Sequence, residues 1–106
     1  MKIAVKDALQ QLQDSNKSFL QLFNHGTLQI ELYKPDKIDD QSPHKQDEVY
    51  VIVSGNGTFL NNGIITNFTA GDFLFVPAGV EHRFLNFSSD FVTWVIFYGP
   101  ENGERP

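Results

Sequence analysis

Apolar positions along this chain change their period once, near residue 17. In "VKDALQQLQ", Val5, Ala8, Leu9 and Leu12 recur at helical spacing, with Lys6, Gln10, Gln11 and Gln13 between them. This predicts one short amphipathic helix, ended near Asp14–Asn16. From there the period is two. Leu20 and Leu22 alternate with Gln21, "NHG" at Asn24–Gly26 reads as a turn, and Leu28, Ile30 and Leu32 alternate with Gln29, Glu31 and Tyr33. The pair predicts a hairpin. "KPDKIDDQSP", Lys34–Pro43, is polar and carries two prolines, so it reads as a loop. The next strand, "EVYVIV", runs into a glycine turn at Ser54–Gly57. "NNG" at Asn61–Gly63 is a hairpin turn, Gly71 marks another turn, and "FLFV" is a short strand cut by Pro77. "EHRFLNF" alternates again, "DFVTWVIFY" is a long apolar strand, and the tail "PENGERP" is expected to be mobile.

One helix followed by roughly eight to ten short strands, with no helix between strands, argues against a parallel sheet and for an antiparallel sandwich or barrel of the jelly-roll kind. The expected organisation is a single all-β domain over residues 1–106: a helix within 1–16, a barrel over 17–99, and the tail 100–106. A length of 106 residues suits one such domain. The last strand is apolar on both faces, as is the outer side of "EVYVIV", so the helix or a second subunit should cover that surface.

Composition narrows the chemistry. The chain has no cysteine, which excludes disulfides and thiolate metal sites. Ten Phe, three Tyr and one Trp argue against disorder. A net charge of -5 leaves no basic footprint, so nucleic acid is not an expected partner. No apolar run has signal-peptide or membrane-spanning character, and a cytoplasmic location away from membranes is expected.

The candidate chemistry lies in two stretches. If "PHKQDEVYVIV" is one strand, His44, Gln46, Glu48, Tyr50 and Ile52 share a face that is polar at one end and apolar at the other. That is how a strand lining a pocket near a barrel mouth reads. His44 and Glu48 would lie about 13 Å apart along a straight strand, so sharing an ion requires a bend. In "GDFLFVPAGVEHRFLN", Pro77 and Gly79 force a turn just before His82. Two imidazoles and one carboxylate converging on one pocket suit Fe(II), Mn, Ni, Zn or Co and leave positions open for substrate or water.

The second stretch carries Gly71-x5-Pro77-x-Gly79-x2-His82-x3-Asn86, and here the sequence resembles the cupins, whose second motif has that spacing. A chance match of five such positions is on the order of one in 10⁴ or rarer, so the motif decides the resemblance. The first cupin motif is half present: His44, Glu48 and Gly55 match, whereas Ser42 stands where the first histidine is expected and Asp36 where a glycine is. The resemblance implies a double-stranded β-helix, a homodimer, and His44, Glu48 and His82 as three ligands of one divalent transition metal ion. Gln46 is the candidate for a weaker fourth donor or a hydrogen-bonding neighbour. Tyr50 is the one candidate for an acid–base role.

Three functions follow. The leading expectation is a metal-dependent enzyme, dioxygenase-like or isomerase-like, acting on a small organic molecule. The many phenylalanines predict an apolar, aromatic pocket and favour the oxygenase side. The alternative is a non-catalytic cupin that binds or senses a metal or small ligand. The third is a purely structural barrel.

Overall fold

The computed structural model describes residues 1–106. Helix α1, Val5–Ser15, is followed by eight strands: β1 Phe19–His25, β2 Leu28–Tyr33, β3 Asp47–Ser54, β4 Asn56–Asn61, β5 Ile64–Thr69, β6 Phe73–Val76, β7 His82–Leu85 and β8 Val92–Tyr98. All registered strand pairs are antiparallel. They form a five-stranded sheet in the order β1-β2-β8-β3-β6 and a three-stranded sheet in the order β5-β4-β7. This is the jelly-roll sandwich that the strand pattern predicts.

α1 starts without a side-chain cap and ends at Asn16, whose left-handed φ of 58° lets its N–H reach the Gln13 carbonyl. Its apolar stripe buries Ala8 and Leu12 against Leu32 of β2 and Val92 of β8, with Leu20, Leu22, Val53 and Trp94 packed around them. The helix thus covers the outer face of the large sheet on the β1–β2 side. It does not reach β6, where Phe73 is 64% and Phe75 42% exposed.

The glycine turn expected at Ser54–Gly57 is a crossing between sheets rather than a link within one. Only Gly55 separates β3 from β4, and the chain crosses there from one sheet to the other. A shift in the β3–β8 register between Ile52 and Ser54 starts the bend. Gly55 has a φ of +89°, and a Cβ on it would stand 2.6 Å from Phe91 Cα, so both its conformation and its space require glycine.

Between the sheets, Tyr50, Ile52, Phe59, Phe68, Val76, Phe84, Phe91 and Val95 form one buried cluster. Its rings meet edge-on or tilted, with Phe59–Phe84 and Phe84–Phe91 centroids both at 4.6 Å. Tyr33 and Phe97 close it toward the mouth.

Two expectations change at the periphery. The tail 100–106, expected to be mobile, is tied down: Asn102 N donates to Lys45 O at 2.7 Å, and Glu104 N to Asp47 Oδ2 at 2.8 Å. The loop Lys34–Pro43 is not simply a solvated excursion, because Asp39 within it is 1% exposed.

Candidate metal centre

Each candidate residue is placed by a backbone feature. Glu48 is the second residue of β3 and is fully buried, with Tyr50 two residues further in. His82 opens β7, immediately after the turn made by Pro77–Gly79, and is 2% exposed. His44 lies before β3, in the loop rather than on the strand. That removes the difficulty of a 13 Å separation along one strand. Gly79 N donates to His44 O at 2.7 Å, and Ala78 N donates to Asp47 Oδ1 at 2.9 Å. The turn before His82 therefore holds the backbone around His44, and the two motifs are stitched together.

His44, Glu48 and His82 each offer one donor atom, and the three atoms lie within 4.8 Å of one another. Glu48 Oε1 is 3.1 Å from His82 Nε2 and 3.9 Å from His44 Nε2. His82 Nδ1 lies 2.9 Å from the Val80 carbonyl. A carbonyl only accepts, so Nδ1 carries the proton and Nε2 of the neutral ring presents a lone pair to Glu48. Neither Glu48 oxygen nor His82 Nε2 has a hydrogen-bond partner, and all three atoms are buried. Two acceptors facing each other away from water require a positive charge between them, either a proton or a metal ion. Burial opposes protonation of His82, but the Glu48 carboxylate at 3.1 Å, ready to accept from a protonated Nε2, the Val80 carbonyl and the Asp39 charge outweigh it and raise the pKa above the usual histidine value. These residues fit a divalent transition metal in donor type, spacing and orphaned polarity.

The other candidates fall elsewhere. Gln46, placed on the Glu48 face by strand alternation, precedes β3, and its amide nitrogen donates to the carbonyls of Gly99 at 2.9 Å and Thr27 at 3.3 Å. The Tyr50 hydroxyl donates to Gln41 Oε1 at 3.2 Å. Burial first, and then the Glu48 charge, push its pKa well above the ordinary tyrosine value, so it stays protonated at neutral pH.

Two residues of the polar loop also reach the centre. Gln41 Oε1 also lies 3.3 Å from His44 Nε2. Asp39 holds the Gln41 amide and accepts from the Tyr33 hydroxyl and from Phe84 N, both at 2.8 Å. No spacing in "KPDKIDDQSP" marks either of them.

A cavity of about 430 Å³ opens beside the centre, lined by β2 (Gln29, Glu31, Tyr33), by Gln41, His44, Lys45 and Gln46, and by Phe19, Val95 and Phe97, among others. The expected apolar, aromatic character holds for part of this wall, where Phe19, Tyr33, Val95 and Phe97 lie. Most phenylalanines fill the floor of the sandwich, and the cavity wall is mixed, with Gln29, Glu31, Gln41, His44 and Lys45 among its polar residues. Burial first and then the Glu48 charge raise the Glu31 pKa, and Lys45 brings a cation to the rim.

The model of the cupin domain family matches residues 29–98 of the chain. An uncharacterized protein of Streptomyces coelicolor is 37% identical over 87 residues, covering 80% of this chain and 83% of its own. A cupin-2 domain protein of Shewanella frigidimarina has the same fold, with a TM-score of 0.72, 20% identity, and 92% of this chain and 94% of that one covered. A DMSP lyase of Ruegeria pomeroyi superposes with a TM-score of 0.66 at 23% identity, covering 76% of this chain and 46% of that one. The chain belongs to the cupin domain family. No helix in it is long and apolar enough to cross a membrane.

Proposed function

We propose that this cupin binds one divalent transition metal ion through His44, Glu48 and His82 and uses it on a small hydrophilic molecule held in the adjoining cavity. The carrying observation is the buried pair of acceptors, Glu48 Oε1 and His82 Nε2, 3.1 Å apart with no donor between them. Such an ion would act as a Lewis acid toward an oxygen of the bound molecule. The chain supplies the rest. Gln29, Glu31, Gln41 and Lys45 offer hydrogen-bonding and charged groups to orient a polar substrate, and Phe97 and Val95 give one apolar wall. The aromatic part of the wall supports dioxygenase-like chemistry, and its polar part supports isomerase-like chemistry on a hydroxylated or carboxylated molecule. Glu31, whose raised pKa brings it nearer neutrality, takes over from Tyr50 as the acid–base candidate.

A second reading, a binding or sensing module without turnover, is favoured by the Tyr50 hydroxyl, which is engaged with Gln41 and held protonated. The assembly proposed with either reading is a homodimer. The β6 edge of the large sheet carries Phe73 and Phe75 exposed, and a twofold axis would set this patch on its own copy.

Elemental analysis decides the metal question. Protein purified without chelator, or exposed to Fe(II), Mn(II), Ni(II) and Zn(II), is expected to hold close to one equivalent of metal, and H82A to hold none. Wild-type protein that stays metal-free after all four exposures overturns the proposal. Turnover of small hydroxylated or carboxylated compounds by the loaded protein separates enzyme from binder.

A further inference from the structure

The loop Lys34–Pro43 folds back over the mouth of the sandwich and is anchored there by Asp39. Asp39 Oδ2 accepts from Phe84 N at 2.8 Å and from Gln41 Nε2 at 3.0 Å, and Oδ1 accepts from the Tyr33 hydroxyl at 2.8 Å and from Gln41 N at 3.3 Å. A carboxylate only accepts hydrogen bonds, so the end of the Gln41 amide that faces it is the NH2 group. The carbonyl oxygen is then the end turned toward His44 and Tyr50. It lies 3.3 Å from His44 Nε2 and 3.2 Å from the Tyr50 hydroxyl. A buried acid thus aims one neutral oxygen at the metal centre.

Metal–nitrogen and metal–oxygen bonds of about 2.0–2.2 Å put neighbouring donors of one ion roughly 3.0–3.6 Å apart. Gln41 Oε1 to His44 Nε2, at 3.3 Å, falls in that range, as does Glu48 Oε1 to His82 Nε2 at 3.1 Å, while Glu48 Oε1 to His44 Nε2, at 3.9 Å, stands just outside it. We propose that Gln41 is the fourth protein ligand, its amide carbonyl completing a two-nitrogen, two-oxygen set with His44, His82 and Glu48. This rests on the metal reading above.

Gln41 precedes Ser42, the position at which the motif lacks its histidine, and reaches the centre from the loop rather than from a strand. Gln41 rather than Gln46 is the candidate because its oxygen is the one seated against His44 and Tyr50, whereas the Gln46 amide is anchored at the rim on the Gly99 and Thr27 carbonyls. As placed, Gln41 Oε1 accepts from Tyr50 and faces His44 Nε2. For both to serve one ion, His44 carries its proton on Nδ1. A neutral amide oxygen is a harder donor than imidazole, so this set favours Mn(II), Fe(II) and Co(II) over the softer preference of a three-histidine site.

The test is a Co(II) titration of chelator-treated wild type, Q41A, Q41H and Q46A, followed by calorimetry and by the visible absorption of the bound ion, which reports its ligand number and type. Q41A is expected to bind at least about 10-fold more weakly, with an altered absorption band. Q41H should regain affinity with a band shifted as nitrogen replaces oxygen, and Q46A should stay within about threefold of wild type. Q41A with the wild-type band overturns the proposal, even if its affinity falls, because Gln41 would then only position the loop. A wild-type chain that takes up no Co(II) overturns the metal reading beneath it, whereas equal binding by wild type and Q41A removes Gln41 alone.

Discussion

Along β3 the inward side chains run Glu48, Tyr50, Ile52, and along β7 they run His82, Phe84. Each strand passes from the mouth of the sandwich to its floor within a few residues, and the two regions follow different rules. On the floor, Phe59, Phe68, Phe84 and Phe91 are 1–3% exposed and bury apolar surface against one another. At the mouth, Glu48 and His82 are as deeply buried, yet three of their polar atoms have no partner. Burying a carboxylate in that state costs free energy that the floor must offset. The comparison teaches that burial alone does not mark a stabilising residue. Whether a buried group is satisfied decides the sign.

The largest effect should come from the floor. F84A is expected to lose about 3–5 kcal/mol in urea unfolding, by the same amount with and without metal. A loss below about 1 kcal/mol would mean that the rings are not packed as described. At the mouth the sign should reverse. In metal-free protein at pH 8, E48Q is expected to be neutral or to gain about 1–2 kcal/mol, because an amide can donate to His82 Nε2 where the carboxylate cannot, while metal uptake is lost. Strong destabilisation of metal-free E48Q would break the comparison.

A smaller effect concerns pH. The folded pKa of His82 is raised above 6.5, so the stability contributed by its protonated form is fully present below that unperturbed value and is lost as pH rises through the folded pKa. Metal-free wild type should lose stability over that window, and H82A should show a flatter profile. Because proton and metal compete for the same lone pair, metal affinity should weaken as pH falls through the same window. The smallest effect belongs to Glu31, half-buried on the cavity wall. Its raised pKa means that ionisation opposes folding, so E31Q should gain stability at pH 7, by less than about 1 kcal/mol after solvent screening.

The cluster of His44, Glu48 and His82 was legible because its residues sit at fixed spacings around the turn made by Pro77–Gly79. The helix, the hairpin and the sandwich were legible from period alone. Three features were not. Alternation on β2 separates Leu28, Ile30 and Leu32 from Gln29, Glu31 and Tyr33, but it does not say which face is inward. Leu32 packs under α1, and the more polar face lines the cavity. Reading the strand from Pro43 puts Gln46 on the Glu48 face, but β3 begins only at Asp47. Asp39 and Gln41 lie in a segment whose polarity reads as solvated. The partners that bury Asp39, Tyr33 and the backbone of Phe84, lie 6 and 45 residues away.

The crossing at Gly55 has a mechanical consequence. It sends β3 and β4 into opposite sheets, and β4 pairs with β7, so Glu48 belongs to the five-stranded sheet and His82 to the three-stranded one. An ion held by both would rivet the two layers at the mouth, at the opposite end of β3 from the single-residue hinge. Amide hydrogen exchange along β7 should therefore slow on metal loading more than exchange along β1, which lies on the far edge of one sheet and carries no part of the rivet.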